Sequence, residues 1–365
     1  MTRLRELGLQ PGRLPPGPLN AITDVPGVRV GQVTLIAGEG PLRPGEGPVR
    51  TGVTAILPHG GNLFQEKVVA AVRTINGFGK ALGFEQVREM GVIETPIMLT
   101  NTLSVWGVAD AVVTYTMRDN PDIGVTTSTV NPVVGECNDG FLNDIRGRHV
   151  HQEHVWQSIE AAEEGPVAEG NVGAGTGTAC FGFKGGIGTA SRQVWGGQHT
   201  IGALVQSNFG SRQELTVLGV PVGHHLRQSR PPETGPGSIM MVLATDAPFS
   251  APQLERLAMR AAFGLARTGS TCANGSGDFV IAFSTAHHRP HYPATVVETA
   301  PRIADEDNRA MNECFLAVIE AVEEAILNAL VAAQTMTGRD NHTLHALPLD
   351  ALVEILTHAH RLPNV

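Results

Sequence analysis

Cysteine is scarce and never closely paired: Cys137, Cys180, Cys272 and Cys314 lie far apart, with no C-x-x-C among them. That spacing argues against a thiolate zinc site and a disulfide framework, and favours buried thiols in a reducing compartment. Aromatic residues make up only 5% of the chain, so its cores must be built from Val, Ile, Leu and Ala. Basic residues are outnumbered 26 to 35, for a net charge of −9, and form no basic arm. That balance argues against nucleic acid as a main partner. There is no run of about 18 apolar residues, so no membrane span is expected. The opening Met-Thr-Arg-Leu-Arg-Glu-Leu is too charged for a signal peptide. A cytoplasmic location is expected. The histidines at 151, 154, 224, 225, 287 and 288 fit no H-E-x-x-H frame and read as surface or loop residues; there is no G-x-S-x-G elbow either.

What is abundant is glycine, 43 residues in 365, within a chain that is 42% apolar and 17% charged. This is a compact globular composition rich in tight turns and close backbone approaches. Strand character is expected at Val28–Ile36, Gly52–Leu57, Glu94–Thr100, Ile123–Ser128, Thr178–Lys184, Ile187–Val194, Thr200–Ser207, Thr216–Val220, Met240–Thr245 and Phe279–Ser284. Phe64–Arg73 fits either strand or short helix. Helical spacing marks Ser104–Met117, residues 150–163, Cys314–Ala333 and Asp350–His358, and Ser250-Ala-Pro-Gln253 is a capping box opening another helix. Residues 222–237, rich in Gly and Pro, read as an exposed connector. Strands clustered between groups of helices predict layered α+β packing, with helices outside stacked sheets.

Three stretches carry candidate chemistry. In Gly235-Pro236-Gly237-Ser238, Pro and Gly suit the two central positions of a type II turn, which puts Ser238 at the start of the apolar run 239–244. A hydroxyl held there can fold back on the Gly237 carbonyl, the geometry of an N-to-O acyl shift. A plain loop entering a buried strand explains the same residues. In Asn274-Gly275-Ser276-Gly277-Asp278, strand alternation puts Ser276 and Asp278 on one face, where hydroxyl and carboxylate can orient a third group. An Asn-Gly turn is the simpler account. Asn208, ending Val205–Gly210, is a strand-end amide able to donate to an oxyanion. The series Gly173-Ala-Gly175-Thr-Gly177 has Thr178 where a dinucleotide fingerprint needs glycine, and strand follows it. Backbone crowding between strands is the better account.

Taken in order, these pieces resemble the L-aminopeptidase/D-esterase family, which includes the β-peptidyl aminopeptidases. The resemblance spans nearly the whole chain: Asn20–Gly31, Gly52–Pro58, Asn131–Gly140, Val205–Gly210, Gly237-Ser238 and Asn274–Asp278. It implies a four-layer αββα sandwich of the aminopeptidase/ornithine acetyltransferase type. It also implies one domain, 1–365, that cuts itself into fragments 1–237 and 238–365, which stay together in a homo-oligomer, a tetramer being expected. No cofactor and no metal are implied.

Matched position by position, Gly237 and Ser238 flank the cleaved bond and Ser238 is the nucleophile. Ser276 and Asp278 support it, with Asp where the family usually has Glu. Asn208 belongs to the oxyanion hole, and Glu136 holds the substrate's free amine. Asn138 stands where the family often has a Tyr that helps bind the oxyanion. The expected activity is removal of N-terminal residues from short peptides, amides or esters. An α-amino group titrates at about 7.7–8.0, so the Ser238 amine would serve as base for its own hydroxyl. Two rivals stand beside this reading. Ornithine acetyltransferases share the implied fold but use Thr at the cut, and an inactive ligand-binding member would fit the Asp278 and Asn138 departures.

Overall fold

In a computed structural model, residues 2–226, 237–296, 303 and 309–361 are described. Positions 227–236, which hold most of the expected connector and Pro236 of the expected turn, lie outside them. The first sheet contains β1 (Arg29–Ala37), β2 (Val49–Leu57), β4 (Ala81–Leu82), β6 (Ile97–Asn101) and β7 (Val133–Cys137), in the order β1-β2-β6-β7-β4. The second contains β3 (Glu66–Gly77), β5 (Val92–Ile93), β10 (Ile187–Val194), β11 (His199–Asn208), β12 (Ser238–Thr245) and β13 (Gly277–Pro290). Its order is β10-β11-β12-β13-β3-β5. Two small hairpins, β8 (Ala179–Cys180) with β9 (Phe183–Lys184) and β14 (Met336–Thr337) with β15 (Thr343–Leu344), complete the strands.

The second sheet is buried on both faces, and β12 shows why its sequence is almost unbroken apolar text. Met240, Val242 and Ala244 join Leu204, Phe279 and Ile281 in a core shared with Ile97, Leu99 and Val133 of the first sheet. Ile239, Met241 and Leu243 face the opposite way. There they meet helices α4 (Ala251–Arg267) and α5 (Arg309–Val331). Burial on both faces removes the polar alternation that a half-exposed strand would show. Helices α2 (Val105–Asp119) and α3 (Gln152–Glu160) cover the first sheet through Val108, Val112, Val155 and Ile159. The short α1 (Phe84–Met90) packs on β3 and β5, and α6 (Leu349–His358) packs on the turn at Val222–His224. Each sheet is antiparallel except for one parallel pair, β6 with β7 and β12 with β13. A parallel pair needs a crossover, supplied here by α2 and α4. At the start of α4 the Ser250 N–H donates to Gln253 Oε1 at 2.9 Å, as its capping sequence predicts.

Several sequence expectations are revised. Of Phe64–Arg73, residues 66–73 resolve as strand within β3, and Phe64 and Gln65 lie in the turn before it. Ile123–Ser128 is a turn: the N–H groups of Val125 and Thr126 both donate to Asp122 O at 3.0 Å, and Val125 is exposed. Its apolar residues mimic a strand, but the Asp122 carbonyl curls the chain first. Thr216–Val220 is likewise a tight turn, with Val217 and Val220 exchanging 2.9 Å backbone bonds around Leu218 and Gly219, both at positive φ. Thr178–Lys184 divides at Phe181-Gly182, also both at positive φ, into the β8–β9 hairpin. The glycine series does mark crowding: a Cβ at Gly175 would meet Ile187 N at 2.4 Å and one at Gly177 would meet Arg50 O at 2.1 Å.

The N-terminal lead-in is tied down by charge. Arg192, fully buried on β10, bonds Glu324 Oε2 at 2.6 Å and Glu320 Oε2 at 3.1 Å on α5. Arg5 reaches Glu324 Oε1 at 2.6 Å, and Glu320 accepts the Arg13 and Leu14 N–H groups at 3.0 Å. Burial alone would raise the Glu324 pKa, but Arg5, Arg192 and Asn20 together hold it below the usual value. Removing one partner of such a network strands the other charges without water. Arg192→Met is therefore expected to lower the unfolding free energy by about 3–5 kcal/mol in urea titrations. A loss below about 1 kcal/mol would show that the network does not hold the N-terminal segment.

Candidate active site

Strand register assembles the site. Ser238, the first residue of β12, pairs with Asn208, the last residue of β11, and with Gly277, the first of β13. Asn208 Nδ2 faces Ser238 Oγ at 3.4 Å, while Asn208 Oδ1 accepts the Ala179 N–H at 2.9 Å. The second bond decides which end of the amide faces the serine, because the oxygen is already committed to a donor. Ser238 is 3% exposed. Alternation along β12 turns it toward the first sheet, where Cys137 ends β7 with its thiol donating to Gln206 O at 3.3 Å.

Ser276 and Asp278 meet as expected: the Ser276 hydroxyl donates to Asp278 Oδ1 at 2.6 Å. Asp278 Oδ2 is buried and has no hydrogen-bond partner of its own. Burial raises the Asp278 pKa, opposed by the Ser276 hydroxyl and the Cys272 thiol. The pair lies beside Gly237, the residue preceding Ser238. A Cβ at Gly237 would be 3.2 Å from Ser276 Oγ and 3.1 Å from Phe209 Cα, and the Gly237 carbonyl accepts the Gly277 N–H at 3.1 Å. Asn76 Nδ2 pins the preceding turn through the carbonyls of Ala273, Asn274 and Ser276.

Glu136 is 4% exposed at the end of β7. Its carboxylate accepts the Thr102 hydroxyl and, at 2.9 Å, the Lys80 N–H. Burial raises its pKa, with Thr102 and Lys80 opposing. A Cβ at Gly79 would stand 3.2 Å from both Glu136 Oε1 and Gly277 Cα, so one glycine separates this carboxylate from the residue paired with Ser238. Asn138 is exposed, and its Oδ1 accepts the Gly140 N–H at 2.9 Å in a local turn. No described contact joins it to Ser238.

Sequence reasoning missed Asn76, Thr102, Ala179 and Lys184. They approach the site only through the fold, and no spacing in the chain marks them. Two other features stand apart. A cleft of about 290 Å³ lined by Asn62, Phe64, Glu94, Tyr115 and Asn120 shares no residue with this constellation. His59, Glu66 and His288 bring ligand atoms within 4.8 Å of one another at the opposite end of β3 from Asn76. Nε2 of His59 lies 2.7 Å from the Glu66 carbonyl, and its Nδ1 takes the Gly61 N–H at 3.0 Å, which leaves the ring no free lone pair.

The fold matches the serine hydrolases of the N-terminal-nucleophile type, as the similarities show. The structure superposes with TM-score 0.92 on the L-aminopeptidase D-Ala-esterase/amidase of Ochrobactrum anthropi, 42% identical with complete coverage of both chains. That enzyme is described as a prototype serine aminopeptidase and a variant of the Ntn hydrolase fold. A protein from Pyrococcus horikoshii OT3 matches with TM-score 0.94 at 53% identity, over 99% of this chain and 100% of that one. The β-peptidyl aminopeptidase BapA of Sphingosinicella microcystinivorans is 47% identical over 99% of this chain and 93% of its own. Residues 20–344 match Peptidase family S58, and the chain belongs to that family. It is a serine aminopeptidase.

Two residues past the end of β7 is a further buried carboxyl. Asp139 accepts Asn143 Nδ2 at 3.0 Å, and its Oδ2 has no partner. Burial raises its pKa to about 7. Between about 4 and 7 the folded chain therefore keeps a proton that the unfolded chain has released, so stability falls as pH rises across that window. Asp139→Asn is expected to flatten this decline when urea midpoints are compared at pH 4.5 and 7.5. An unchanged slope would show that Asp139 is ionised throughout.

Proposed function

We propose that the chain is cut between Gly237 and Ser238 into fragments 1–237 and 238–365 that stay packed in one domain. Ser238 then removes N-terminal residues from short peptides, aminoacyl amides or esters. The observation that carries this reading is the placement of Ser238 Oγ before the Asn208 amide while the Gly277 N–H polarises the Gly237 carbonyl. Cleavage frees the Ser238 amine on the side of Ser276 and Asp278, where it serves as base for its own hydroxyl. Oγ attacks the substrate carbonyl, Asn208 and neighbouring N–H groups stabilise the oxyanion, and water releases the acyl group. Glu136 selects substrates with a free N-terminal ammonium by a charge-assisted hydrogen bond, which restricts the enzyme to chain ends. Asn138, exposed two residues beyond Glu136, is the second residue on the substrate side. β-Peptidyl substrates are within range, given the names of two relatives.

Helices packed outside two facing sheets support a four-layer αββα arrangement. Exposed Trp106 on α2 and Phe263 on α4 offer apolar area for a homo-oligomer, and four free cysteines suit a cytoplasmic setting.

Three variants test the assignment. Ser238→Ala is expected to remain one uncut chain by mass spectrometry and to hydrolyse no aminoacyl nitroanilide; retained turnover would remove Ser238 as nucleophile. Asn208→Ala is expected to lower kcat by about 10²–10³-fold. Glu136→Gln should raise KM for amine-bearing substrates much more than it lowers kcat. Equal effects on acetylated and free-amine substrates would refute the ammonium site.

A further inference from the structure

Lys184 is an unusual residue to find where it is: fully buried, in no ion pair among the described residues, with its ammonium surrounded by main chain. Its Nζ donates to Gly175 O at 2.9 Å, Thr178 O at 2.9 Å and Gly185 O at 2.7 Å. Three carbonyl acceptors match the three N–H bonds of an ammonium; a neutral amine has only two. Burial draws its pKa down to about 7, while the fields of Asp139 and Cys180 pull the other way. Removing an ammonium from water costs several kcal/mol, and an apolar side chain would fill the same space without that cost. A consequence for the site would explain its presence.

The bonds themselves supply one. Thr178 O and the Ala179 N–H belong to a single planar peptide. The oxygen of that peptide accepts from Lys184 Nζ at 2.9 Å, and its N–H donates to Asn208 Oδ1 at 2.9 Å. The same Asn208 amide then presents Nδ2 to Ser238 Oγ at 3.4 Å. Ammonium, backbone amide, side-chain amide and nucleophile thus form one line of hydrogen bonds, all pointing donor to acceptor toward Ser238. Each amide is polarised by the one behind it, and a buried positive charge stands at the head. Pairing of Ala179 with Lys184 across the β8–β9 hairpin keeps the two ends of this line in register.

We propose that Lys184 is a positioning residue for the oxyanion-binding amide. Through the Thr178–Ala179 peptide it fixes the orientation of Asn208 and strengthens Nδ2 as a donor to the negative charge that develops in the transition state. Its effect therefore falls on the chemical step and not on substrate capture. This rests on the assignment of Asn208 given above.

The test is a double-mutant cycle on the full-length, self-cleaved protein, assayed with an aminoacyl nitroanilide. Lys184→Met, which keeps length and removes charge, is expected to lower kcat about 10- to 100-fold with KM within about threefold. In the Asn208→Ala background the same substitution is expected to change kcat by less than about twofold, because the group it acts through is gone. Lys184→Gln, which retains N–H donors without charge, should give an intermediate kcat and serves as the second variant if the methionine protein does not fold. Multiplicative losses in the cycle, or a rise in KM equal to the fall in kcat, would overturn the proposal and leave Lys184 a packing residue. If Asn208→Ala alone keeps full kcat, the oxyanion assignment itself fails; if only Lys184→Met keeps it, the relay alone fails.

Discussion

Everything at the site depends on the hydrogen-bond register of three strands. Asn208, Ser238 and Gly277 lie side by side because β11, β12 and β13 pair as they do. Side chains on a strand alternate between faces, so a slip of one residue would turn Ser238 toward α4 and α5 and leave the amide facing an isoleucine. The register is held by burial on both faces. Met240 and Val242 fill the space between the sheets, while Met241 and Leu243 fill the space under the helices, and a slip would exchange the two sets. The packing of an apolar strand thus specifies a polar constellation at its end.

That dependence explains where the polar groups are found. The site occupies the edge of the inter-sheet core, where β7 ends in Glu136 and Cys137, β11 ends in Asn208, and β12 and β13 begin. Strand ends allow backbone groups to leave the ladder. The Gly277 N–H is thereby free for the Gly237 carbonyl and the Ala179 N–H for Asn208. Low dielectric in this region raises the pKa of both Glu136 and Asp278 through burial, and the same environment strengthens each hydrogen bond that is made. Burial and polarity are coupled here: a site open to water would lose the field that strengthens these bonds.

Charge is used differently elsewhere. The Arg192–Glu320–Glu324–Arg5 network lies among α5, β10 and the N-terminal lead-in and tethers that segment across the second sheet. Lys184 has no such carboxylate in contact and is surrounded by carbonyls alone. The contrast separates a cation that ties segments together from one whose bonds run toward Ser238.

Local residue pattern was enough for much of this protein. The apolar run after Ser238 marked β12, the Ser250–Gln253 box marked the start of α4, and the closely spaced glycines at 173–177 marked crowded backbone. Ser276 and Asp278 were placed together by alternation, which holds across the last turn residue and the start of β13. Local pattern failed where apolar residues lie in turns: Ile123–Ser128 and Thr216–Val220 carry strand-like composition, but a carbonyl or a left-handed residue closes the chain before a ladder can form. Only the tertiary structure brought Lys184 behind Asn208 and Thr102 onto Glu136. Those contacts join segments remote in sequence, and their geometry comes from how two sheets pack, which no periodicity within one segment encodes.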